Sequence, residues 1–317
     1  ELFQAMQRGT IDCVQSDDDS MASPTEVTVF GGYFPLALRY SLDVPALFNS
    51  YGLKEIWEEE YSKVGIKHIS AGSWDPCHFS MKDPINSLAD LSGKRVFTFP
   101  TAGRFLSRFG VVPVTVPWED VEVALQTGEL DGVAWSGITE VYTAGWQKSA
   151  PYFLTNNISG AWIGHFFANM DRWNEIPETM RTLMQMCFDS SHLYRQHWYW
   201  AGEADLRING GKLKLTTIPD EEWATVQDAA VKFWDEIATE SPVKAVMMNA
   251  PLASAMPRQA PLAMRQPLLI ALRATRKKSG PGESRARKWA RAMIMNCCIG
   301  GGSAEKPQSA AGPILAY

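Results

Sequence analysis

The sequence predicts an α/β protein of two similar lobes joined by one long helix. Three observations carry this. Strand-like and helix-like segments alternate along residues 1–249, which is the mark of α/β architecture. Residues 5–14 (AMQRGTIDCV) are echoed 119 positions later by residues 124–133 (ALQTGELDGV), with Ala, Gln, Gly, Asp and Val matched in place. Apolar residues then recur every three or four positions from Met180 through Met184, Cys187, Ser191 and Tyr194 to Trp198. That spacing describes a helix of roughly 40 Å over residues 177–203, long enough to cross two lobes.

Each half of the echo reads as the end of a helix, a glycine and a short strand. Gly9 and Gly128 are placed to take the left-handed conformation that closes a helix. The first unit is a helix over 2–7 and a strand over 12–14. A charged helix near 53–63 leads into a strand at 66–71. Residues 94–99 form a strand, followed by a Pro-Thr-Ala-Gly turn and a helix from about Arg104. A short apolar strand at 112–116 precedes a helix over 118–127, with Val121, Ala124 and Leu125 on one face. A strand ends at 133–135, and residues 162–169 are apolar enough for another. After the long helix, whose first turn tolerates Pro177, a last helix over 219–238 turns Trp223, Val226, Ala230, Phe233 and Ile237 inward.

The charge is divided unevenly. The chain of 317 residues carries −5 overall. Residues 1–249 hold 19 basic and 33 acidic residues, a net −14, while residues 250–317 hold 11 and 2, a net +9. The second stretch has two of the 35 aromatic residues, Trp289 and Tyr317, and is expected to be a disordered or non-native basic tail. The acidic portion argues against nucleic-acid binding. There is no run of 18 apolar residues to span a membrane. Five cysteines without metal spacing do not form a disulfide framework, and the pair Cys297-Cys298 takes no role.

Ligands of open α/β lobes gather at the carboxyl ends of strands. Three such ends draw attention. Asp17-Asp18-Asp19 follows the first strand and suits a cation or an amine, although a solvated turn is the more ordinary reading. The turn 97–104 combines Phe97, small residues and Arg104 at a helix start, where an anion is favoured. Its glycines fit neither a Walker nor a dinucleotide motif. Trp135 ends the echoed strand and offers a flat wall. Catalytic patterns are poor. His192 and His197 are five apart, neither H-E-x-x-H nor G-x-S-x-G occurs, and an enzyme using Asp17 or His165 in a cleft is the rival class.

Residues 90–114 (DLSGKRVFTFPTAGRFLSRFGVVPV), 124–137 (ALQTGELDGVAWSG) and 166–173 (FFANMDRW) resemble the solute-binding proteins of TRAP transporters, over about residues 1–245. The resemblance implies a two-lobed, type II periplasmic-binding-protein-like fold with a helix spanning both lobes. It divides the chain as 1–75 in lobe I, 76–160 in lobe II, 161–203 returning to lobe I with the long helix, 204–249 in lobe II and 250–317 as the tail. It also implies an N-terminally incomplete lobe I and a non-native C-terminus. The implied function is that of a periplasmic receptor, not an enzyme, which captures a small organic carboxylate and delivers it to membrane permease subunits. A stand-alone ligand sensor is the remaining alternative.

Carried over residue by residue, the family's usual carboxylate-binding arginine aligns with Phe97. Arg104 is then the expected substitute anchor, and Arg95 lies deeper on the same strand. The metal-ligating Glu of keto-acid binders aligns with Ala134 and a second acid with Gly160, so neither metal nor cofactor is expected. Trp135 keeps the aromatic wall. Asn156, Asn157, Ser159 and Trp162 fall where other members touch ligand, and Trp74 and His78 are placed to close the cleft. The loss of charge at Phe97 points to a keto-, aromatic or branched acid. The expected binding set is Asp17, Trp74, Phe97, Arg104, Trp135, Asn157 and Trp162.

Overall fold

A computed structural model describes residues 2–17, 19, 23–30, 34–38, 40–209 and 213–247. Asp18 and the basic tail 250–317 lie outside the described residues. Lobe I begins with α1 (Leu2–Gln7), β1 (Cys13–Ser16), α2 (Asp43–Ser50), α3 (Leu53–Ser62) and β2 (Ile66–Ser73). The chain crosses to lobe II for β3 (Phe79–Met81), β4 (Arg95–Thr98), α4 (Pro100–Leu106), β5 (Val112–Val114), α5 (Val121–Thr127), β6 (Gly132–Ala134), α6 (Ile138–Thr143) and β7 (Tyr152–Leu154). It returns for β8 (Ile163–Asn169) and α7 (Met170–Glu175), and α8 (Glu178–Asn209) then spans both lobes. The last elements, β9 (Lys214–Thr216) and α9 (Asp220–Ala238), belong to lobe II.

Sheet order separates the lobes. In lobe I, β8 lies between β1 and β2 and runs antiparallel to both. In lobe II the order is β5-β4-β6-β3-β7-β9, with β4 parallel to β5 and β6. The echo survives as local structure: Gly9 (φ +70°) and Gly128 (φ +81°) each end a helix in the left-handed region, and a strand follows within a few residues. It does not survive as sheet topology, since β1 is an edge strand antiparallel to β8, whereas β6 is interior, parallel to β4 and antiparallel to β3.

Each face of the lobe I sheet has its own layer. Alternation places His165 and Phe167 against Phe48, Trp57 and Tyr61 of α2 and α3. The other face meets α8, where Phe166 stacks on Phe188 at 4.2 Å. In lobe II, α9 buries Trp223, Val226, Ala230, Phe233 and Ile237, as its period requires, together with Trp234. Phe233 packs on Phe34 at 5.7 Å and on Phe105 at 5.4 Å.

The spanning helix runs 32 residues, about 48 Å, beyond the end its apolar period marks. Of the residues that mark that period, Met180, Cys187, Ser191, Tyr194 and Trp198 are exposed. The buried residues are His192, Tyr199 and Glu203. The N-terminal half of the helix turns Met184 and Phe188 onto the lobe I sheet. The C-terminal half crosses the junction of the lobes, and there it meets backbone N–H groups and a carboxylate rather than an apolar core.

Candidate functional site

A hydrogen-bonded node built on Asp75 joins the two lobes. Asp75, just after β2, is fully buried. Its Oδ1 accepts from Trp162 Nε1 at 2.7 Å, so the outgoing and returning connections are tied together. Its Oδ2 accepts from Ser136 Oγ at 2.6 Å and from the Gly137 backbone N–H at 2.7 Å, at the turn before α6. The spanning helix reaches the same turn. Tyr199 donates to Glu140 at 2.5 Å, and Glu203 accepts from the N–H groups of Ile138 and Thr139. Burial, reinforced by Glu140, raises Asp75 to about 8, and burial raises Glu140 as well. Among the residues sequence reasoning missed, Asp75 had a signal: an acid set between Trp74 and Pro76, beside a strand end.

Above this node stands an aromatic wall on lobe II. The strand ends of β4 and β6 lie side by side, with Thr98 opposite Ala134. The side chains that follow therefore meet. Trp135 stacks on Phe97 at 4.9 Å and on Phe99 at 3.9 Å. Trp118 meets Trp135 at 5.1 Å. Phe99 touches Trp162 at 5.7 Å, and Trp162 stands edge-on to Trp74 at 4.1 Å. The structure thus brings Phe97, Trp135, Trp162 and Trp74 into one row. Phe99 and Trp118 belong to it although the sequence reading omitted them.

The segment that follows β1 meets lobe II at the start of α4. Asp17 and Asp19 are only 4% and 8% exposed, so the ordinary reading of a solvated acidic turn is corrected. Asp19 reaches across to lobe II, accepting from Thr101 Oγ1 at 3.0 Å and from Thr101 N–H at 3.3 Å. Trp74 lies against Gly164 of β8, where an added Cβ would sit 2.2 Å from the ring. Arg195 of α8 covers the ring, with Cζ 4.2 Å from its centroid.

Arg104 departs from expectation. It is on α4, not in the turn, and its side chain is 52% exposed. Its guanidinium pairs with Glu240 and lies over the Phe233 ring at 5.7 Å. The helix starts at Pro100, four residues earlier than expected, and this turns Arg104 toward α9 and away from the wall. Arg95 is likewise spent on a two-pronged bridge to Asp131, at 2.8 and 2.9 Å, which holds that carboxyl below its usual range. His78 is buried, its Nδ1–H donating to Leu154 O at 2.9 Å, and its ring packs on Phe153 of β7. Asn156 bonds the backbone of Ile218 through both amide atoms, and Ser159 bonds Ala161 O. Asn157 is half-buried in the same connection. Among the described residues there is no grouping of three or more His, Cys, Asp or Glu suited to a metal ion.

Comparison with known proteins agrees with this geometry. Residues 1–241 match the family model of bacterial extracellular solute-binding proteins, family 7. The chain is 72% identical to a TRAP periplasmic solute-binding protein from Chromohalobacter salexigens, solved with bound (S)-2-amino-1-propanol; the match covers 80% of each chain with a TM-score of 0.78. It is 23% identical over 253 residues to a monocarboxylate 2-oxoacid-binding periplasmic protein of Nostoc, covering 76% of this chain and 67% of that protein. The ectoine-binding protein of Halomonas elongata shares the fold, with a TM-score of 0.71 at 18% identity over 80% of this chain and 85% of that one. Two lobes, a double connection between them, a helix spanning both and a cleft at the strand ends are what this family is built from, and the chain belongs to it: it is a family 7 extracellular solute-binding protein, a TRAP transporter solute receptor.

Proposed function

We propose that this receptor captures a small organic ammonium compound, such as an amino alcohol, in the periplasm and passes it to its membrane permease. One observation carries the reading. Where relatives are expected to present an arginine, Phe97 stacks on Trp135, and two buried carboxylates, Asp17 and Asp19, follow β1 of the other lobe, of which Asp19 reaches Thr101 at the start of α4. Aromatic faces and carboxylates together attract an ammonium group, the rings through their negative faces and the acids by direct charge. Arg104, the cation that the sequence reading assigned to a carboxylate, is committed to Glu240 instead. The relative from Chromohalobacter, bound to an amino alcohol, supports the choice.

Capture is reversible and needs no chemistry. His165, the base of the rival enzyme reading, lies in the lobe I core, 3.1 Å from His68 and stacked on Trp57. Closing the lobes around the ligand makes the Asp19–Thr101 contacts, and the binding energy offsets the cost of holding the closed state. Thermal-shift measurements with 2-amino-1-propanol, ethanolamine, pyruvate and lactate test this. Stabilisation by the amines is expected. If pyruvate or lactate alone stabilises the protein, the ligand is a carboxylate and the ammonium reading falls.

A further inference from the structure

We infer that Arg195, Trp74 and Gln15 form a second pole of the same cleft, a set of donors that selects a ligand carrying an oxygen acceptor as well as its ammonium group. The inference rests on the ammonium reading for the first pole and adds a requirement to it. Three observations place the donors together. Gln15 of β1 lies opposite Phe166 of β8, so the two side chains share the sheet face that meets α8. Arg195 comes from α8 onto this face, with Nη2 3.4 Å from Gln15 Oε1 and its guanidinium over Trp74. Trp74 joins the aromatic row through Trp162, so the donors continue the wall that ends at Trp135.

The chemistry of the set is one-sided. Trp74 is buried, and its indole N–H is a donor that finds no acceptor among the described residues. The Gln15 amide nitrogen is also buried without a partner, its oxygen being turned to Arg195. The Arg195 guanidinium can only donate, and that one bond to Gln15 is its single hydrogen bond among the described residues. Buried donors left without acceptors are costly, and a hydroxyl or carboxylate oxygen on the ligand removes the cost. The two poles then read opposite ends of one small molecule: Asp17 and Asp19 its ammonium, Arg195, Trp74 and Gln15 its oxygen.

The test is calorimetric titration of wild type and Trp74→Phe with three probes: 2-amino-1-propanol, which carries both ends; 2-aminopropane, with the ammonium alone; and lactate, with oxygens alone. Phenylalanine keeps a ring between Gly164 and Arg195 but removes the N–H, and equal Tm values for the two proteins establish that folding is intact. Should the Tm values differ, Arg195→Met, measured with the same probes, takes its place. The expected result is that wild type prefers 2-amino-1-propanol to 2-aminopropane, and that the variant weakens the former by roughly tenfold while leaving the latter unchanged. Equal loss for both amines, no loss for either, or no binding of any oxygen-bearing probe overturns the inference. If lactate binds, the amines do not, and the variant weakens lactate, the donor pole stands and the ammonium reading alone is lost.

Discussion

The indole nitrogen of Trp162 donates to Asp75 Oδ1 at 2.7 Å, and together with the backbone bonds from Trp74 N–H to Trp162 O and from Trp162 N–H to Asp75 O it ties the chain's first crossing between lobes to its second. Asp75 has three donors around it and still titrates high, because burial and the neighbouring Glu140 outweigh them. A carboxyl whose folded pKa lies above its unfolded value favours the folded state most at low pH. That contribution fades as pH rises from about 4 through about 8. Wild type minus Asp75→Asn should therefore show a stability difference that shrinks with pH across this window, measured by urea denaturation. The substitution also sets an amide against the Gly137 N–H, which costs about 1–3 kcal/mol. A difference independent of pH counts against a raised Asp75 carboxyl.

The buried histidines work in the opposite sense. Burial lowers His78 and His192 to about 4 and holds His68 well below the usual histidine value. Their neutral forms are the folded forms. Stability is thus complete above the unfolded value near 6.5 and declines as pH falls toward 4. His78→Gln is expected to flatten part of that decline. Guanidinium denaturation from pH 7 to pH 4.5 on both proteins provides the comparison.

Arg104→Ala should leave ligand affinity unchanged, since its charge is held by Glu240 far from Trp135 on a different side of α4. An exposed pair of this kind contributes only about 0–1 kcal/mol to stability. A tenfold loss of affinity would return Arg104 to the site.

Phe97→Arg restores a cation beside Trp135, the arrangement expected elsewhere in the family. The variant should lose affinity for amines at least tenfold, through charge repulsion and the loss of a ring, and gain affinity for lactate or pyruvate. Titration with both ligand classes measures the exchange.

Gly164→Ala places a methyl group 2.2–2.6 Å from three atoms of the Trp74 ring. Overpacking of this kind costs about 1–3 kcal/mol. Because Arg195 rests on that ring, affinity for 2-amino-1-propanol should fall together with Tm. Unchanged affinity would show that Trp74 is not part of the site.

Much of the fold was legible because it rests on local rules. The glycines at 9 and 128 close helices wherever they occur, and the inward set of α9 follows from a 3.6-residue period. Trp135 and Phe97 were legible as a wall because both sit at strand ends. What escaped depended on how distant elements turn toward one another. Nothing local in Asp17 and Asp19 separates a buried acidic turn from a solvated one; the approach of Thr101, 82 residues away from Asp19, decides it. Arg104 was misplaced because four residues of extra helix rotate it toward α9. Arg195 was hidden because α8 carries its apolar period on the outside, and the polar residues that cross the lobe junction leave no hydrophobic trace.

The crowding of bonds onto residues 136–140 gathers every passage of the chain between the lobes at one turn. Asp75, Trp162, Tyr199 and Glu203 carry all three crossings, and each is fastened to lobe II by that turn or through a partner bound to it. If the lobes part, the chain is expected to bend beyond these fastenings, toward β2, β8 and the middle of α8. On that reading the rings stacked on Trp135 act as the fixed jaw, and the Asp19–Thr101 contact is the one that opens and closes with the bite.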